Sequence, residues 1–254
     1  MTDDVRAREL AHHEELYSGF AQQHFAKAAV RALRAAMVRR ILKLTRASRD
    51  SRVLSLGCGI ADTEILLAPH VAHITGIDLS PSAIRQARED VRRLNIANLD
   101  VIEGTIQDAP LEGREFDAII AIFFLHHLPG DELKRTAAWI FRHLRPGGVF
   151  YSLDPSCFRL SGAIGRIIVP RLMKRYQTPD EHELDPRETS EVFTRAGFES
   201  RYDYFDFASS PLAGLFPSWR GGYLASRAID NLIVRTPLLR KLGSNFEIVA
   251  RKPD

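Results

Sequence analysis

The chain has 254 residues, 45% hydrophobic and 26% charged, a composition typical of one globular α/β domain with embellishments. The formal net charge of +3 is too small to indicate a nucleic-acid-binding surface, and the two cysteines are too few for a disulfide framework, which suits a reducing cytoplasm. The first residues lack the pattern of a signal peptide, and the longest apolar run, residues 118–125, is far shorter than the ~20 residues of a membrane span, so we expect neither.

Residues 1–50 predict an N-terminal helical segment. Its later apolar positions recur every three or four residues, as on one face of a helix: Val30, Leu33, Met37, Ile41 and Leu44. Eight basic and no acidic residues lie between Lys27 and Arg49. Two interpretations are open: the apolar face packs on the domain, or this basic amphipathic helix makes peripheral contact with an anionic membrane.

Residues 52–62, RVLSLGCGIAD, predict a nucleotide-binding turn. A buried parallel strand runs into a Gly-x-Gly turn and then a helix, and a second strand over 72–77 ends at Asp78, 21 residues after Gly57. Glycines let the backbone approach a ligand, and the distant carboxylate binds ribose hydroxyls. Asp62 stands where a dinucleotide fold has its third glycine, and no P-loop lysine follows. A nucleoside without phosphate therefore fits best.

Strands and helices alternate along the rest of the chain. Strands are predicted over 99–103, 116–122 and 149–154, and helices over 81–94, 131–144 (ended by Pro146-Gly147-Gly148) and 187–196. Residues 201–207 and 245–251 form an antiparallel pair. The pattern predicts an α/β fold with a seven-stranded, mostly parallel, doubly wound sheet, an antiparallel last strand, helices on both faces, N-terminal helices and two lid-like insertions.

The two insertions are residues 155–185 and 208–243. Both combine apolar side chains with bases, and both follow strands at places where α/β enzymes build substrate pockets. We interpret them as lids over a small or lipid-like acceptor. The alternative is a dimer interface, so the chain is expected to be a monomer or a homodimer.

Four segments, in order, resemble motifs of the class I S-adenosylmethionine-dependent methyltransferases. They are VLSLGCG (53–59), IDLS (77–80), FDAIIA with LHHL (116–128) and LRPGGVF (144–150), and the likeness extends from about residue 53 to residue 198. The resemblance implies a single methyltransferase domain over residues 1–254 that takes S-adenosyl-L-methionine as its cofactor.

The sequence departs from the family at three positions. The family usually has an acid where Ser55 stands and a glycine where Ala61 stands, and often an aspartate where Thr105 stands. Serine and threonine keep hydrogen-bonding capacity but lose the charge. Asp62 and Asp108 are the nearby acids expected to compensate.

The resemblance also implies the site residues. The expected cofactor-binding residues are Gly57, Cys58, Gly59, Asp78, Leu79, Thr105, Ile106, Ile122 and Phe123. His126 and His127 face the place where the methyl group emerges and could act as a base, the alternative being a structural role. The expected substrate contacts are Tyr17, Asp154, Trp219 and Tyr223. No metal site is expected, because no histidine or acid cluster has ligand spacing.

The sequence therefore predicts a methyltransferase acting on a small, apolar or lipid-linked acceptor, not on nucleic acid. Two alternatives stay open. A non-catalytic S-adenosylmethionine-binding scaffold is suggested by Ser55 and Thr105. A nucleic-acid methyltransferase would need an Asn-Pro-Pro-Tyr-like loop where residues 123–126 read FFLH.

Overall fold

A computed structural model describes residues 26–162 and 183–254, together with Leu10, Ala11, Glu14 and His24. Its seven strands form one sheet in the order β3-β2-β1-β4-β5-β7-β6. The strands are β1 (Arg52–Leu56), β2 (His73–Asp78), β3 (Leu99–Glu103), β4 (Phe116–Ile122), β5 (Leu144–Pro155), β6 (Glu199–Asp206) and β7 (Asn245–Arg251). β1 to β5 are parallel, and β7 is antiparallel to both of its neighbours. This confirms the predicted sheet.

The described helices alternate with these strands. They are α1 (Ala28–Thr45), α2 (Asp62–Leu67), α3 (Pro81–Arg93), α4 (Gly130–His143), α5 (Pro186–Arg195), α6 (Ser209–Leu215) and α7 (Arg220–Ile233). Short 3₁₀ helices cover Ala68–His70, Leu125–His127 and Leu239–Leu242. At the start of α3, Pro81 occupies the first turn and the Ser80 hydroxyl accepts a hydrogen bond from the Ala83 amide, which satisfies an otherwise unpaired helix donor.

Two hydrophobic cores lie on opposite faces of the sheet, because successive strand side chains alternate between faces. In β1, Val53 joins the core covered by α1, α2 and α7, whereas Leu54 joins the core covered by α4 and α5. Central strands buried on both faces cannot alternate apolar and polar residues, which explains the nearly continuous apolar runs of β1 and β4.

The N-terminal helix packs with its apolar face inward. Val30, Leu33, Met37 and Ile41 are all buried, so the packing interpretation of the basic helix is the one that the structure supports. The predicted helix is too long at its end, since α1 stops at Thr45 and Arg46 adopts a left-handed conformation. None of the helices within the described ranges combines the length and apolarity needed to cross a bilayer.

A buried ion pair joins α1 to the last strand. The Arg40 guanidinium donates from Nε to both carboxylate oxygens of Glu247 at 2.9 Å, and the Tyr151 hydroxyl donates to the same carboxylate at 3.2 Å. Glu247 has no exposed surface. The helix that precedes β1 in sequence is therefore tied to the centre of the β5-β7-β6 half of the sheet.

The Pro-Gly-Gly segment lies inside a strand and does not end a helix, which corrects the prediction. β5 already begins at Leu144, which pairs with Phe116 of β4, and the register then shifts before Val149 pairs with Ala118. The three residues occupy this irregular stretch, where Gly147 has a φ of 72°. A bulge absorbs turn-forming residues that would otherwise interrupt the strand.

The two insertions differ in how much the structure describes. Within 155–185, residues 163–182 lie outside the described ranges. Residues 208–243 form α6, α7 and a 3₁₀ helix that connect β6 to β7. Ala213 and Tyr223 are buried in the core shared with α1, so the inner side of this segment is part of the domain.

Candidate functional site

The glycine turn after β1 brings bare backbone to the carboxyl edge of the sheet. Gly57 and Gly59 have φ angles of 66° and 53°, in the left-handed region that glycine adopts without strain. A Cβ on Gly57 would lie 2.5 Å from Cδ2 of Phe124, so no side chain fits there. The turn thus places bare backbone against the Phe124 ring, a contact that requires glycine.

Ala61 completes this turn without the family's glycine. Its φ of 60° is left-handed, which costs an alanine about 1–2 kcal/mol. Its methyl group is fully buried in the core with α1, and burying one such carbon contributes about 0.8 kcal/mol. The packing offsets much of the strain, which explains in physical terms how alanine serves at this position.

Asp78, at the end of β2, links the turn to the next helix. One carboxylate oxygen accepts a hydrogen bond from the Gly59 amide at 2.7 Å, and the other accepts from the Ser80 amide at 2.9 Å. The side chain is half-buried. Asp78 therefore fixes the position of the glycine turn and keeps part of its side chain at the surface.

A carboxyl group that the sequence analysis missed lies beneath the turn. The Ser55 hydroxyl donates to Oε1 of Glu64 at 2.6 Å, and Oε2 has no hydrogen-bond partner among the described residues. Glu64 is 2% exposed, and this burial raises its pKa to about 7, against the opposing effect of the Ser55 hydrogen bond. Glu64 of α2 thus places a carboxyl group beside Ser55, the β1 position where the family usually has an acid. Its proximity to a serine nine residues earlier is visible only in three dimensions.

The two acids expected to compensate have other partners. Asp62 forms an ion pair with Arg34 of α1, at 2.6 Å. Asp108 accepts a hydrogen bond from the Thr105 hydroxyl at 2.6 Å, and the Asp108 amide donates back to that hydroxyl at 3.3 Å. These contacts stabilise the segments next to the glycine turn and after β3.

The loops after β3 and β4 complete the edge. The Gly104 amide donates to the Asp78 carbonyl at 2.9 Å, which brings the loop carrying Thr105 and Ile106 next to β2. Phe123 has a φ of 56° and donates its amide to the Leu153 carbonyl at 2.7 Å. Because β3, β2, β1 and β4 are neighbours in that order, their carboxyl ends form one continuous rim.

The other expected cofactor-binding residues contribute unequally to this rim. Leu79 and Ile122 are half-buried, with surface left for a ligand. The Cys58 thiol turns away, because its sulfur packs against Gly76, where a Cβ would lie only 2.8 Å from it. Burial raises the pKa of this thiol well above its ordinary value, so it stays neutral. The Cys58 side chain therefore packs on β2, and its backbone is the part that belongs to the glycine turn.

His126 and Asp154 form a buried pair at the same edge. Nδ1 of His126 lies 2.9 Å from Oδ1 of Asp154, and the His126 amide donates to the same oxygen at 3.3 Å. Asp154 is fully buried at the end of β5, and its Oδ2 has no partner among the described residues. Nδ1 must donate to a carboxylate oxygen, so the contact is satisfied by the tautomer with its proton on Nδ1. The His127 ring lies 4.1 Å from that of His126.

The expected substrate contacts do not come together. Tyr17 lies outside the described residues. Asp154, predicted at the pocket rim, and Tyr223, predicted in the 208–243 insertion, are 0% and 1% exposed, and burial raises the Tyr223 pKa to about 12. Trp219 is 59% exposed, beyond the end of α6. The helical periodicity of α7 separates inward from outward positions, and applying it to the sequence would have distinguished Tyr223 from its exposed neighbours.

One described residue of the N-terminal segment reaches this edge. A carboxylate oxygen of Glu14 accepts hydrogen bonds from the Ser80 hydroxyl, the Ser82 amide and the Ser82 hydroxyl at 2.6, 2.9 and 2.8 Å. These bonds outweigh the desolvation of Glu14 and lower its pKa. A negative charge is favourable at the N-terminus of α3, so Glu14 anchors its segment two residues from Asp78.

Comparisons with known sequences point to one enzyme class. Residues 53–148 match the sequence model of the family described as methyltransferase domain. The demethylmenaquinone methyltransferase of Listeria welshimeri is 30% identical over 118 residues, which cover 45% of this chain and 49% of that protein. The fatty-acid O-methyltransferase of Mycolicibacterium smegmatis is 37% identical over 105 residues, which cover 41% of this chain and 36% of that protein. The match thus spans half or less of these curated relatives.

Solved structures share the fold across nearly the whole chain. A DhpI–SAM–HEP complex superposes with a TM-score of 0.63 at 16% identity and covers 100% of both chains. A putative methyltransferase bound to the Haloferax volcanii Trm112 activator gives a TM-score of 0.66 at 18% identity, over 95% of this chain and 98% of that one. S-adenosylmethionine, the ligand named for DhpI, is also the cofactor expected from the sequence. The matched residues 53–148 run from β1 into β5 and contain the glycine turn and Asp78, so the chain is similar to the methyltransferase domain over the segment that forms this edge of the sheet.

Proposed function

We propose that this protein transfers a methyl group from S-adenosylmethionine to a small, apolar or lipid-linked acceptor, with His126 as general base. One observation carries the proposal. The glycine turn with Asp78, and the His126–Asp154 pair, lie at the carboxyl ends of adjacent parallel strands. Nucleoside-binding and proton-accepting groups therefore share one edge of the sheet.

The residues of this edge fit a nucleoside that carries an amino acid. Asp78 is assigned to the ribose hydroxyls, and Leu79, Thr105 and Ile106 to the adenine. The turn offers backbone without side chains at Gly57 and Gly59, and Glu64 offers a buried carboxyl oxygen without a partner among the described residues. A ligand ammonium group would satisfy that oxygen and favour its ionised form.

The remaining cofactor residues line the path to the acceptor. Ile122 and Phe123 follow β4 and are assigned to the methionyl carbons. When bound, S-adenosylmethionine supplies a methyl group already activated by its sulfonium sulfur. The protein then has to align the acceptor and exclude water, and such positioning contributes about 7–11 kcal/mol to lowering a barrier.

His126 is proposed to accept the acceptor's proton at Nε2. The reason is the Asp154 contact, which holds the proton at Nδ1 and fixes the ring orientation. Asp154 is a positioning residue in this scheme and does not touch the acceptor. His127 is assigned a supporting role beside the His126 ring.

The acceptor class is inferred from two kinds of support. The relatives from Listeria and Mycolicibacterium are named for a quinone and for a fatty acid, both apolar molecules. In this chain, Phe216 and Trp219 are 53% and 59% exposed at the end of α6. Exposed aromatic groups near the carboxyl edge suit an apolar acceptor better than a charged polymer.

The test begins with binding and continues with turnover. Calorimetry should detect S-adenosylhomocysteine binding, and mass spectrometry should detect its release from S-adenosylmethionine with isoprenoid quinols or free fatty acids as acceptors. With an isoprenoid quinol as acceptor, His126→Gln should lower release by about 10²–10⁴-fold and leave S-adenosylhomocysteine affinity unchanged. Tight binding without turnover on any acceptor would instead identify the scaffold alternative, and absence of binding would contradict both.

A further inference from the structure

The outward face of α7 is apolar, contrary to the usual pattern of a surface helix. Apart from Arg220 and Asn231, its exposed positions carry no polar side chain, and they recur every three or four residues as one stripe: Gly221, Leu224, Ala225, Ala228, Ile229 and Leu232. Leu224, Ile229 and Leu232 are 48%, 57% and 67% exposed. The opposite side of the helix buries Tyr223 in the core. The inward side also carries Asp230 and Arg227, so the apolar stripe lies on the side of the helix that faces away from the domain.

The apolar exposure continues on both sides of this helix. Nine of the thirteen exposed large hydrophobic residues in the described ranges lie within residues 215–242. Phe216 and Trp219 pack edge to face before α7, with ring centroids 6.2 Å apart. Leu238 follows the helix and is 80% exposed. Such a concentration of exposed apolar groups indicates an interaction surface, which we call the 215–242 surface.

The exposed charges of this segment are positive. Residues 208–243 contain five bases and one acid, Asp230. Asp230 is 1% exposed and accepts hydrogen bonds from the Ala208 and Ser209 amides, so it contributes little to the surface. One base, Arg227, donates inward to the Phe205 carbonyl at 2.6 Å. The other four bases are exposed: Arg220, Arg235, Arg240 and Lys241.

This combination favours an anionic lipid bilayer over a second copy of the chain. A two-fold dimer through this face would bring bases opposite bases, since both copies present the same patch. A bilayer with anionic headgroups complements both properties, because apolar side chains enter the headgroup–acyl boundary while bases bind the headgroups. Arg240 forms a long ion pair with Asp203, at 4.0 Å, so its charge is partly balanced, whereas Arg220, Arg235 and Lys241 carry the positive charge of the patch.

The fold places this surface beside the proposed site. The carboxyl ends of β5 and β6 lie at the same edge, because Pro155 and Asp206 both pair with Asn245 of β7. α6 and α7 leave from that edge and pack on α1. We propose that the 215–242 surface docks the protein reversibly on anionic membranes, with the outward face of α7 toward the lipid. This inference does not depend on methyl transfer.

Vesicle co-sedimentation tests the proposal with the whole protein. The wild type should sediment with vesicles containing phosphatidylglycerol and bind phosphatidylcholine vesicles much more weakly. The triple variant Leu224→Ser/Ile229→Ser/Leu232→Ser should lose about tenfold or more in partitioning. Leu94→Ser is the matched control, because Leu94 is 45% exposed at the end of α3 and should leave binding unchanged.

Two outcomes would overturn the proposal. One is equal partitioning of the wild type and the triple variant, provided that their thermal unfolding curves coincide. The other is a concentration-dependent dimer that disappears in the triple variant, which would identify a second copy as the occupant. Reduced partitioning of Arg235→Gln/Lys241→Gln on anionic vesicles would support the assignment of the bases.

Tryptophan fluorescence gives an independent measurement. The chain has two tryptophans, so Trp139→Phe leaves Trp219 as the single reporter. Its emission should shift to the blue on adding phosphatidylglycerol vesicles, and brominated lipid should quench it, since an exposed indole that enters the boundary loses water. An unchanged spectrum in the presence of vesicles that sediment the protein would contradict docking through this surface.

Discussion

The buried Glu64 predicts a specific pH dependence of stability. Its carboxyl has a pKa of about 7 in the fold, against an ordinary value of 4.5, because burial disfavours the charge. Between these values the folded protein keeps a proton that the unfolded chain releases. The contribution of Glu64 to the free energy of unfolding is therefore complete below the lower pKa and is lost as pH rises through the upper one.

The magnitude follows from the two pKa values. The difference between 4.5 and about 7, at about 1.36 kcal/mol per pH unit, corresponds to about 3 kcal/mol. Glu64→Gln keeps the shape and the acceptor for Ser55 but cannot ionise. Urea unfolding of cofactor-free protein at about pH 5 and about pH 8 should show wild type losing about 2.5 kcal/mol relative to this variant, because part of the loss has already occurred at pH 5. The difference in unfolding free energy between wild type and Glu64→Gln cancels the contributions of other titrating groups. One of these is Asp206, whose pKa is also raised by burial.

Two further measurements make the reasoning refutable. Ser55→Ala removes the hydrogen bond that lowers the Glu64 pKa, so its stability should fall more steeply above neutral pH. S-adenosylhomocysteine affinity should rise with pH in wild type and stay level in Glu64→Gln, whereas 5′-methylthioadenosine, which lacks the ammonium group, should not distinguish them. Parallel stability curves for wild type and Glu64→Gln would refute the buried-acid argument.

Three other substitutions test the site and the fold. Asp78→Ala should weaken S-adenosylhomocysteine binding by about 1.5–3 kcal/mol in calorimetry, the worth of charge-assisted hydrogen bonds, whereas Asp100→Ala on the exposed part of β3 should not. His126→Gln should lower kcat by about 10²–10⁴-fold with unchanged S-adenosylhomocysteine affinity. Arg40→Met leaves the buried Glu247 carboxylate without its ion-pair partner, with the Tyr151 hydrogen bond remaining, and should destabilise the fold by about 3–5 kcal/mol in urea unfolding. Adding Glu247→Gln should recover most of that loss.

Each of these has an outcome that contradicts it. Equal affinity of Asp78→Ala and wild type would remove the ribose assignment. Full turnover in His126→Gln would reduce the histidine to a structural residue. A double variant at Arg40 and Glu247 no more stable than Arg40→Met would show that the cost comes from lost packing, not from an unpaired charge.

The sheet was predictable because its signals are local. Val53 to Leu56 and residues 116–122 are apolar runs bounded by turns, and Ser80-Pro81 starts a helix by capping chemistry alone. The wrong prediction for the Pro-Gly-Gly segment arose because a non-local contact determines its structure. Pairing of Leu144 with Phe116 overrides the local turn preference, and the sequence carries no sign of that partner.

Site residues that belong to a sequence motif were predictable, whereas contacts that depend on how elements pack were not. Gly57 and Asp78 occupy positions with a steric or hydrogen-bonding requirement that spacing reveals. The Ser55–Glu64 and His126–Asp154 contacts join residues from different elements, at sequence separations of 9 and 28. Their geometry depends on how α2 and β5 pack, which composition and periodicity do not encode.

The position of β7 has a consequence for folding order. β7 is made after β6 but inserts between β5 and β6, so β6 has no strand neighbour in the sheet until residues 245–251 have left the ribosome. Meanwhile β5 presents an open edge, a template for pairing with other nascent chains. Chaperone dependence should therefore be greatest late in synthesis, and a chain shortened before Asn245 should aggregate, although every motif of the glycine turn is already complete.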